Sequence, residues 1–340
     1  MPIIGFAALE PKTTLVVFQY DPSPVDAYSV EISITHCGIC YSDIHLIDDD
    51  WKISQYPLVP GHEIIGTVTA LGDQIKHIQQ GQRVGVSWQR SACFQCEWCL
   101  QDEENLCLKN QATRIDNLGG FAYTLRTDGR FVFPIPAALS SEKAAPLLCA
   151  GATVYSSLRV YNVTAGMKVG IIGIGGLGHL ALQFAKALGC EVTAFSTQKN
   201  KETEARRFGA DKFVVSIDTE QMKREVNTLD FIISTVFADQ DWQQYLAILR
   251  PHGKLCIAGA LENPLLIRTT PLVLGNKSVC GGCVGSRVLI TETLAFAARH
   301  GIQAQTEILP LTEVNQAIAK VRKGDVRYRM VLAMNDPAAA

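Results

Sequence analysis

The sequence predicts an α/β protein whose first part is mostly β and whose second part is a doubly wound parallel sheet. Three observations carry that expectation. Up to about Pro146 the chain runs in short β-branched and aromatic stretches, such as YSVEISITH, HEIIGTVTAL and RFVFPIP, interrupted by Gly and Pro. Near residue 150, strand-like runs begin to alternate with helix-like ones (KVGIIG, GLGHLALQFAKALG, EVTAFS, KFVVS, DFIISTV, KLCIAGA), which is the signature of βαβ units. Beyond Gly285 come helical TETLAFAARHG and VNQAIAKVRKG and strand-like YRMVLAM, which could either extend the second sheet or return to the first part. The terminal DPAAA is expected to fray.

Bulk properties narrow the function classes. The chain has 340 residues, 47% hydrophobic and 19% charged, enough for two domains with substantial cores. A formal net charge of -2 and the lack of a long basic block argue against nucleic acid and anionic membranes as partners. The N-terminal residues do not read as a secretory signal, and no apolar run approaches membrane-spanning length, so a cytoplasmic location is expected. Eleven cysteines in such a chain direct attention to metal or redox chemistry rather than to disulfides.

Cys93, Cys96, Cys99 and Cys107 follow the pattern C-x2-C-x2-C-x7-C. Four thiolates at such separations can converge on one tetrahedral zinc, a closed site whose role is structural. An iron–sulfur cluster also takes four thiolates, but in other usual spacings.

Gly173, Gly175, Gly176, Leu177 and Gly178 lie in a G-x-G-x-x-G motif between a strand-like run and a helical one. There a pyrophosphate can approach a helix N-terminus closely, where unpaired amides favour anions. The second strand ends in Ser196-Thr197-Gln198-Lys199-Asn200-Lys201, where an NAD-specific protein would carry an acidic residue for the ribose hydroxyl. Hydroxyls and lysines suit a 2′-phosphate, so Ser196, Thr197 and Lys201 favour NADP(H), the alternative being a solvated polar loop. Catalytic zinc needs three protein ligands and an open position. Cys40, His62 with Glu63, and Cys149 are candidates, though each taken singly is equally an ordinary buried residue.

CGICYSDIH, PLVPGHEIIG, the four-cysteine loop, PLLCAGATVY, GIGGLG and FSTQKNK occur in the order found in zinc-dependent medium-chain alcohol dehydrogenases. The chain most resembles their cinnamyl-alcohol-dehydrogenase-like branch, which includes broad-range bacterial NADP-dependent aldehyde reductases, and the likeness runs from EPKTTL to GDVRYRMVL. The resemblance implies a GroES-like catalytic domain over 1–150, completed by 288–340, and a Rossmann domain over 151–287. It implies two zinc ions per chain: a catalytic one on Cys40, His62 and Cys149 with Glu63 able to exchange onto it, and a structural one on the four clustered cysteines. Asp43 would orient His62. Ser42 would take the substrate hydroxyl proton and pass it through the cofactor ribose to His45, and Thr153, Thr235, Gly259, Val284 and Arg329 match positions that touch cofactor. Tyr41 departs from the family, whose members usually carry His or Arg there to contact the pyrophosphate, which implies weaker cofactor binding.

The implied reaction moves a hydride between NADP(H) and a primary alcohol or its aldehyde, the metal polarising the substrate oxygen and the protein supplying orientation. Trp51, Tyr56 and Trp88 could wall a pocket for aromatic or medium-chain aliphatic substrates, or simply pack. A homodimer is the family expectation. Alternatives are an NAD-linked polyol or amino-alcohol dehydrogenase on the same fold, a relative lacking the catalytic zinc, and a zinc-ribbon nucleic-acid-binding protein.

Overall fold

The computed structural model describes residues 2–113, 118–259, 261 and 263–334; the fraying expected of DPAAA lies outside them. The chain divides into two compact units, one of residues 1–149 with 286–340 and the other of 150–285.

The first unit is built on a seven-stranded sheet. Its longest strand, Ser29–Ile39, alternates so that Val30, Ile32 and Ile34 enter the core. It pairs antiparallel with Glu63–Leu71, with Thr124–Asp128 and with Arg329–Ala333. Arg329–Ala333 pairs parallel with Thr306–Pro310, so the C-terminal segment returns to the first unit and widens its sheet, a choice the composition had left open. Helix Tyr41–Asp48 follows the long strand directly, and Ile44 and Ile47 anchor it in the same core cluster as Val30 and Ile32.

The second unit is a six-stranded sheet in which every neighbouring pair is parallel. Numbered along the chain, its strands lie in the order 3-2-1-4-5-6, the doubly wound dinucleotide-binding arrangement. Its inner strands are buried on both faces, as their unbroken apolar runs require: Val169, Ile171 and Ile172 in the first, Phe231, Ile232 and Ile233 in the fourth. The first strand, Lys168–Ile172, leads through the glycine turn into helix Gly178–Ala187. A Cβ at Gly178 would stand 1.9 Å from the Gly173 carbonyl oxygen, so this turn tolerates no side chain there. Among the described residues no helix is long and apolar enough to cross a membrane.

Candidate active site

Cys40 ends the approach from the long strand and caps helix Tyr41–Asp48; His62 and Glu63 open the antiparallel neighbour; Cys149 closes the short 3-10 turn Ala145–Leu148. One ligand atom from each of Cys40, His62, Glu63 and Cys149 lies within 4.8 Å of the others, and all four residues are buried. His62 Nε2 is 3.3 Å from Cys149 Sγ, and the two sulfurs are 4.0 Å apart. That sulfur separation is close to what two thiolates about 2.3 Å from a shared tetrahedral ion would span. Glu63 Oε2 is buried without a hydrogen-bond partner. Soft thiolates, an imidazole and an unsatisfied carboxylate oxygen around one point fit a zinc ion.

Asp43 holds this arrangement together. Its carboxylate accepts the backbone N–H groups of Cys40 (2.9 Å) and Gly61 (3.0 Å) and lies 2.9 Å from His62 Nδ1. A group with no solvent exposure thus ties two ligand-bearing segments and turns Nε2 toward the sulfurs. Burial lowers the His62 pKa, but the Asp43 charge and hydrogen bond outweigh it and hold it well above its ordinary value. The hydrogen bond from Cys149, with His62 and Arg329 adding, brings the Cys40 thiol down strongly, and the same bond together with burial pushes Cys149 up.

Glu63 pairs with the Arg329 guanidinium at one oxygen. Burial lifts its carboxyl to about 7 against the pull of that cation. Gly38 stands opposite Glu63 in the strand register, and a Cβ on it would come within 2.0 Å of Oε2.

Ser42 Oγ is 3.6 Å from Cys40 Sγ. His45 Nδ1 is 2.7 Å from Asp50 Oδ2, and its ring lies between Tyr41 and Trp51, each with centroids 5.0 Å away. Trp88 meets the His62 ring edge-on at 4.9 Å and Trp51 at 6.4 Å. Trp51 and Trp88 therefore stand beside the ligand group. The Tyr56 hydroxyl donates to the Leu46 and Ile47 carbonyls and its half-buried ring packs against the core, which braces the helix C-terminus.

The second cluster brings Cys93, Cys96, Cys99 and Cys107 together within the same 4.8 Å limit. Backbone N–H groups of Gln95 and Cys96 bring the Cys93 thiol down to about 6, while burial takes Cys99 up to about 12. Amides aimed at sulfur, at 3.3 Å from Cys96 to Cys93 and from Lys109 to Cys107, suit thiolates around a closed zinc site.

In the second unit the candidate cofactor residues other than Thr153 lie at or just beyond the C-terminal ends of the strands. Thr235 Oγ1 donates to the carbonyls of Ile172 and Gly173, pinning the glycine turn to the fourth strand. Gly175, Gly176 and Leu177 complete that turn. Lys201 Nζ donates to the Ile174 carbonyl at 2.8 Å, which brings its charge to the same turn. Ser196 accepts from the Gln198 N–H, and Thr197 is exposed. Gly259 follows the fifth strand, Val284 follows the sixth, and Thr153 is buried on helix Ala150–Val160. Arg329, expected at the cofactor, is 5% exposed with its guanidinium on Glu63.

Sequence reasoning missed Asp50 and Gly38. Asp50 is the last of three consecutive aspartates, and nothing local marks it. Asp49 adopts a left-handed conformation (φ 55°) that stops the helix, and the Asp50 N–H bonds back to the His45 carbonyl, which returns its carboxylate to the imidazole.

Comparison with known proteins agrees with this geometry. Residues 26–137 match the family model of the alcohol dehydrogenase GroES-like domain, and residues 176–299 that of zinc-binding dehydrogenases. An aldehyde reductase of Synechocystis is 40% identical over 331 residues, 97% of this chain and 98% of that protein. Among solved structures, a cinnamyl alcohol dehydrogenase of Sorghum bicolor superposes with a TM-score of 0.94 at 38% identity, covering 98% of each chain. CAD from Helicobacter pylori, complexed with NADP(H), gives 0.91 at 32% identity and 99% coverage of each.

Proposed function

The chain belongs to the zinc-binding alcohol dehydrogenase family and is an alcohol/aldehyde oxidoreductase, and from that premise we propose that it transfers a hydride between NADP(H) and a primary alcohol or aldehyde. The substrate is aromatic or medium-chain aliphatic. The observation that carries this reading is the buried group of Cys40, His62, Glu63 and Cys149 organised by Asp43.

Cys40, His62 and Cys149 would hold the catalytic zinc, with Glu63 in reach, and Cys93, Cys96, Cys99 and Cys107 the structural one. Bound at the first set, zinc supplies Lewis-acid polarisation of the substrate oxygen. Asp43 fixes the His62 tautomer so that Nε2 is free as a ligand. Ser42 takes or returns the proton on the substrate oxygen, and His45, oriented by Asp50, passes it onward. Trp51 and Trp88 present apolar faces that suit a flat or hydrophobic substrate.

Residues 1–149 with 286–340 act as the catalytic domain and 150–285 as the cofactor domain. Preference for NADP(H) rests on Ser196, Thr197 and Lys201 in place of an acid after the second strand, and the Helicobacter relative carries that cofactor. The enzyme is a cytoplasmic homodimer in this reading, which sedimentation of the purified protein tests. A panel of aldehydes assayed with NADPH and NADH side by side tests cofactor and substrate together. Preference for NADPH with cinnamaldehyde-like or medium-chain substrates is expected; preference for NADH, or for polyols, overturns the proposal.

A further inference from the structure

A cavity of about 290 Å³ lies within the first unit, and neither the Cys40, His62, Glu63 and Cys149 group nor the four clustered cysteines line it. Its volume is near the lower end of small-molecule pockets, roughly 300–1,000 Å³. It runs beside strand Thr124–Asp128, whose ladder among the described residues is with Ser29–Ile39. Side chains from both faces of such a strand can reach its open edge, and the sequence neighbours Arg126 and Thr127 both line the cavity. The register partners Ile3 and Tyr20, from strands Ile3–Ala7 and Val16–Tyr20, form a further wall.

Three polar atoms on these walls are buried with no hydrogen-bond partner among the described residues: the Tyr20 hydroxyl, the Thr127 hydroxyl and Arg126 Nε. Thr127 as a whole is only 6% exposed. Buried polar groups without a partner are rare in folded chains because each is costly, so three on one cavity point to a partner from outside the chain. The carboxylates on the walls are already engaged. Asp26 accepts from the Tyr28 N–H at 2.9 Å and the Ser29 hydroxyl at 2.7 Å, and Asp128 accepts from the backbone and guanidinium of Arg130. The other guanidinium nitrogens of Arg126 hold Glu31 and the Ser23 carbonyl.

We propose that this cavity binds a small organic carboxylate, whose oxygens accept from Arg126 Nε and from the Tyr20 and Thr127 hydroxyls while its apolar body lies against Ile3, Leu118 and Leu125. All three unpartnered groups can donate, and an ionised carboxylate only accepts, with several lone pairs on two oxygens. Burial pushes the Tyr20 hydroxyl up to about 12 against the pull of the Arg90 cation, so it keeps its proton at neutral pH. Arg90 lines the same cavity and adds positive potential there. Arg126 and Arg130 keep carboxylate partners of their own, so the cavity offers hydrogen bonds and a modest field. That suits one delocalised negative charge better than the nearly double charge of a phosphate monoester. The cavity also borders the four-cysteine loop. Arg90 belongs to strand Gln89–Ser91, which leads into the loop, and the Arg130 guanidinium lies 4.0 Å from the Phe94 ring centroid. A bound carboxylate would brace the attachment of that loop.

Calorimetric titration of the zinc-loaded, full-length enzyme with benzoate, benzamide and inorganic phosphate tests this, with melting temperatures measured in parallel. Benzoate should saturate a site in each chain, and benzamide and phosphate should bind at least tenfold more weakly. Tyr20→Phe and Thr127→Val should each weaken benzoate about tenfold, the loss of one hydrogen bond to a charged group. Both variants should melt at or above the wild-type temperature, since neither hydroxyl has a partner to lose. Benzoate should still bind Cys40→Ala, which separates this site from the proposed catalytic zinc and makes the result independent of the oxidoreductase reading. Absence of saturable benzoate binding, equal affinity in Tyr20→Phe and Thr127→Val, or benzamide or phosphate binding as tightly as benzoate would each overturn the proposal. So would binding that vanishes in Cys40→Ala, or a lowered melting temperature in both hydroxyl variants, which would show that the hydroxyls serve the fold.

Discussion

Asp43 Oδ1 lies 2.9 Å from His62 Nδ1, and the same carboxylate takes the backbone N–H groups of Cys40 and Gly61. One side chain thereby sets the imidazole and both ends of the strand-to-ligand connection. Asp43→Asn keeps the size but loses the charge, and its amide can turn an N–H toward the donors. Zinc affinity and kcat/KM should each fall about 10–100-fold. Metal analysis of the purified variant beside its steady-state rates checks this, and wild-type values of both would show that the contact is incidental.

Asp50 holds His45 at 2.7 Å from outside the ligand group. Asp50→Asn should lower kcat about tenfold, a fraction of the roughly 10²–10⁴ that positioned proton transfer contributes. Zinc content and the NADPH dissociation constant should not move. A solvent isotope effect larger in the variant than in wild type identifies the slowed proton step, whereas a drop in thermal stability with kcat unchanged would mean that Asp50 only braces the helix end.

Gly38 leaves room for the Glu63 carboxylate, since a Cβ there would stand 2.0 Å from Oε2. Gly38→Ala must push Glu63 off Arg329 and strand two buried charges. Loss of about 3 kcal/mol in denaturant unfolding is expected, the scale of a broken buried ion pair. A loss below about 1 kcal/mol, in the range of an ordinary surface substitution, would mean that the carboxylate relaxes freely.

The two cysteine clusters should fail differently. Cys40→Ala should abolish turnover while leaving the fold near wild type, because under the proposed assignment it removes a ligand of the catalytic zinc. Cys93→Ala lowers the melting temperature and the zinc count but leaves measurable turnover well below that temperature. Full activity in Cys40→Ala would remove the catalytic assignment.

The hydrogen bond from Arg126 holds the Glu31 carboxyl below its ordinary value, although partial burial acts the other way. Because the folded pKa is the lower one, this contribution to stability is complete above the unfolded value, about 4.3. It disappears as pH falls through the folded value. Glu31→Gln should therefore cost about 0.5 kcal/mol at neutral pH, with little difference from wild type remaining in strong acid. Urea titrations at both pH values measure it; a gap that widens on acidification would reverse the sign.

Much of this architecture is legible in one dimension because its determinants are local. The alternation of apolar residues in YSVEISITH, the buried runs of the parallel strands, the glycines of 173–178 and the C-x2-C-x2-C-x7-C spacing each act within a few residues, so backbone sterics and burial write them directly into the order of amino acids. The proposed zinc ligands of the catalytic site were legible only as an ordered set, since Cys40, His62 and Cys149 come from three separated segments and each alone looks like a core residue.

The run Asp48-Asp49-Asp50 shows where that legibility stops. Asp48 pairs with Arg322, Asp49 accepts from the Ser54 N–H, and Asp50 holds His45. Three identical side chains in a row acquire three roles because a helix ends in a left-handed residue and a distant helix supplies a cation. Likewise, Arg329 lies 266 residues from Glu63 and reaches it because the C-terminal strand pairs with Ser29–Ile39. Sequence by itself determined the elements, the nucleotide turn and the thiolate cluster, whose interactions are short-range. Tertiary structure decided which charges meet, because in a folded chain that depends on strand pairing and helix packing, not on separation along the sequence.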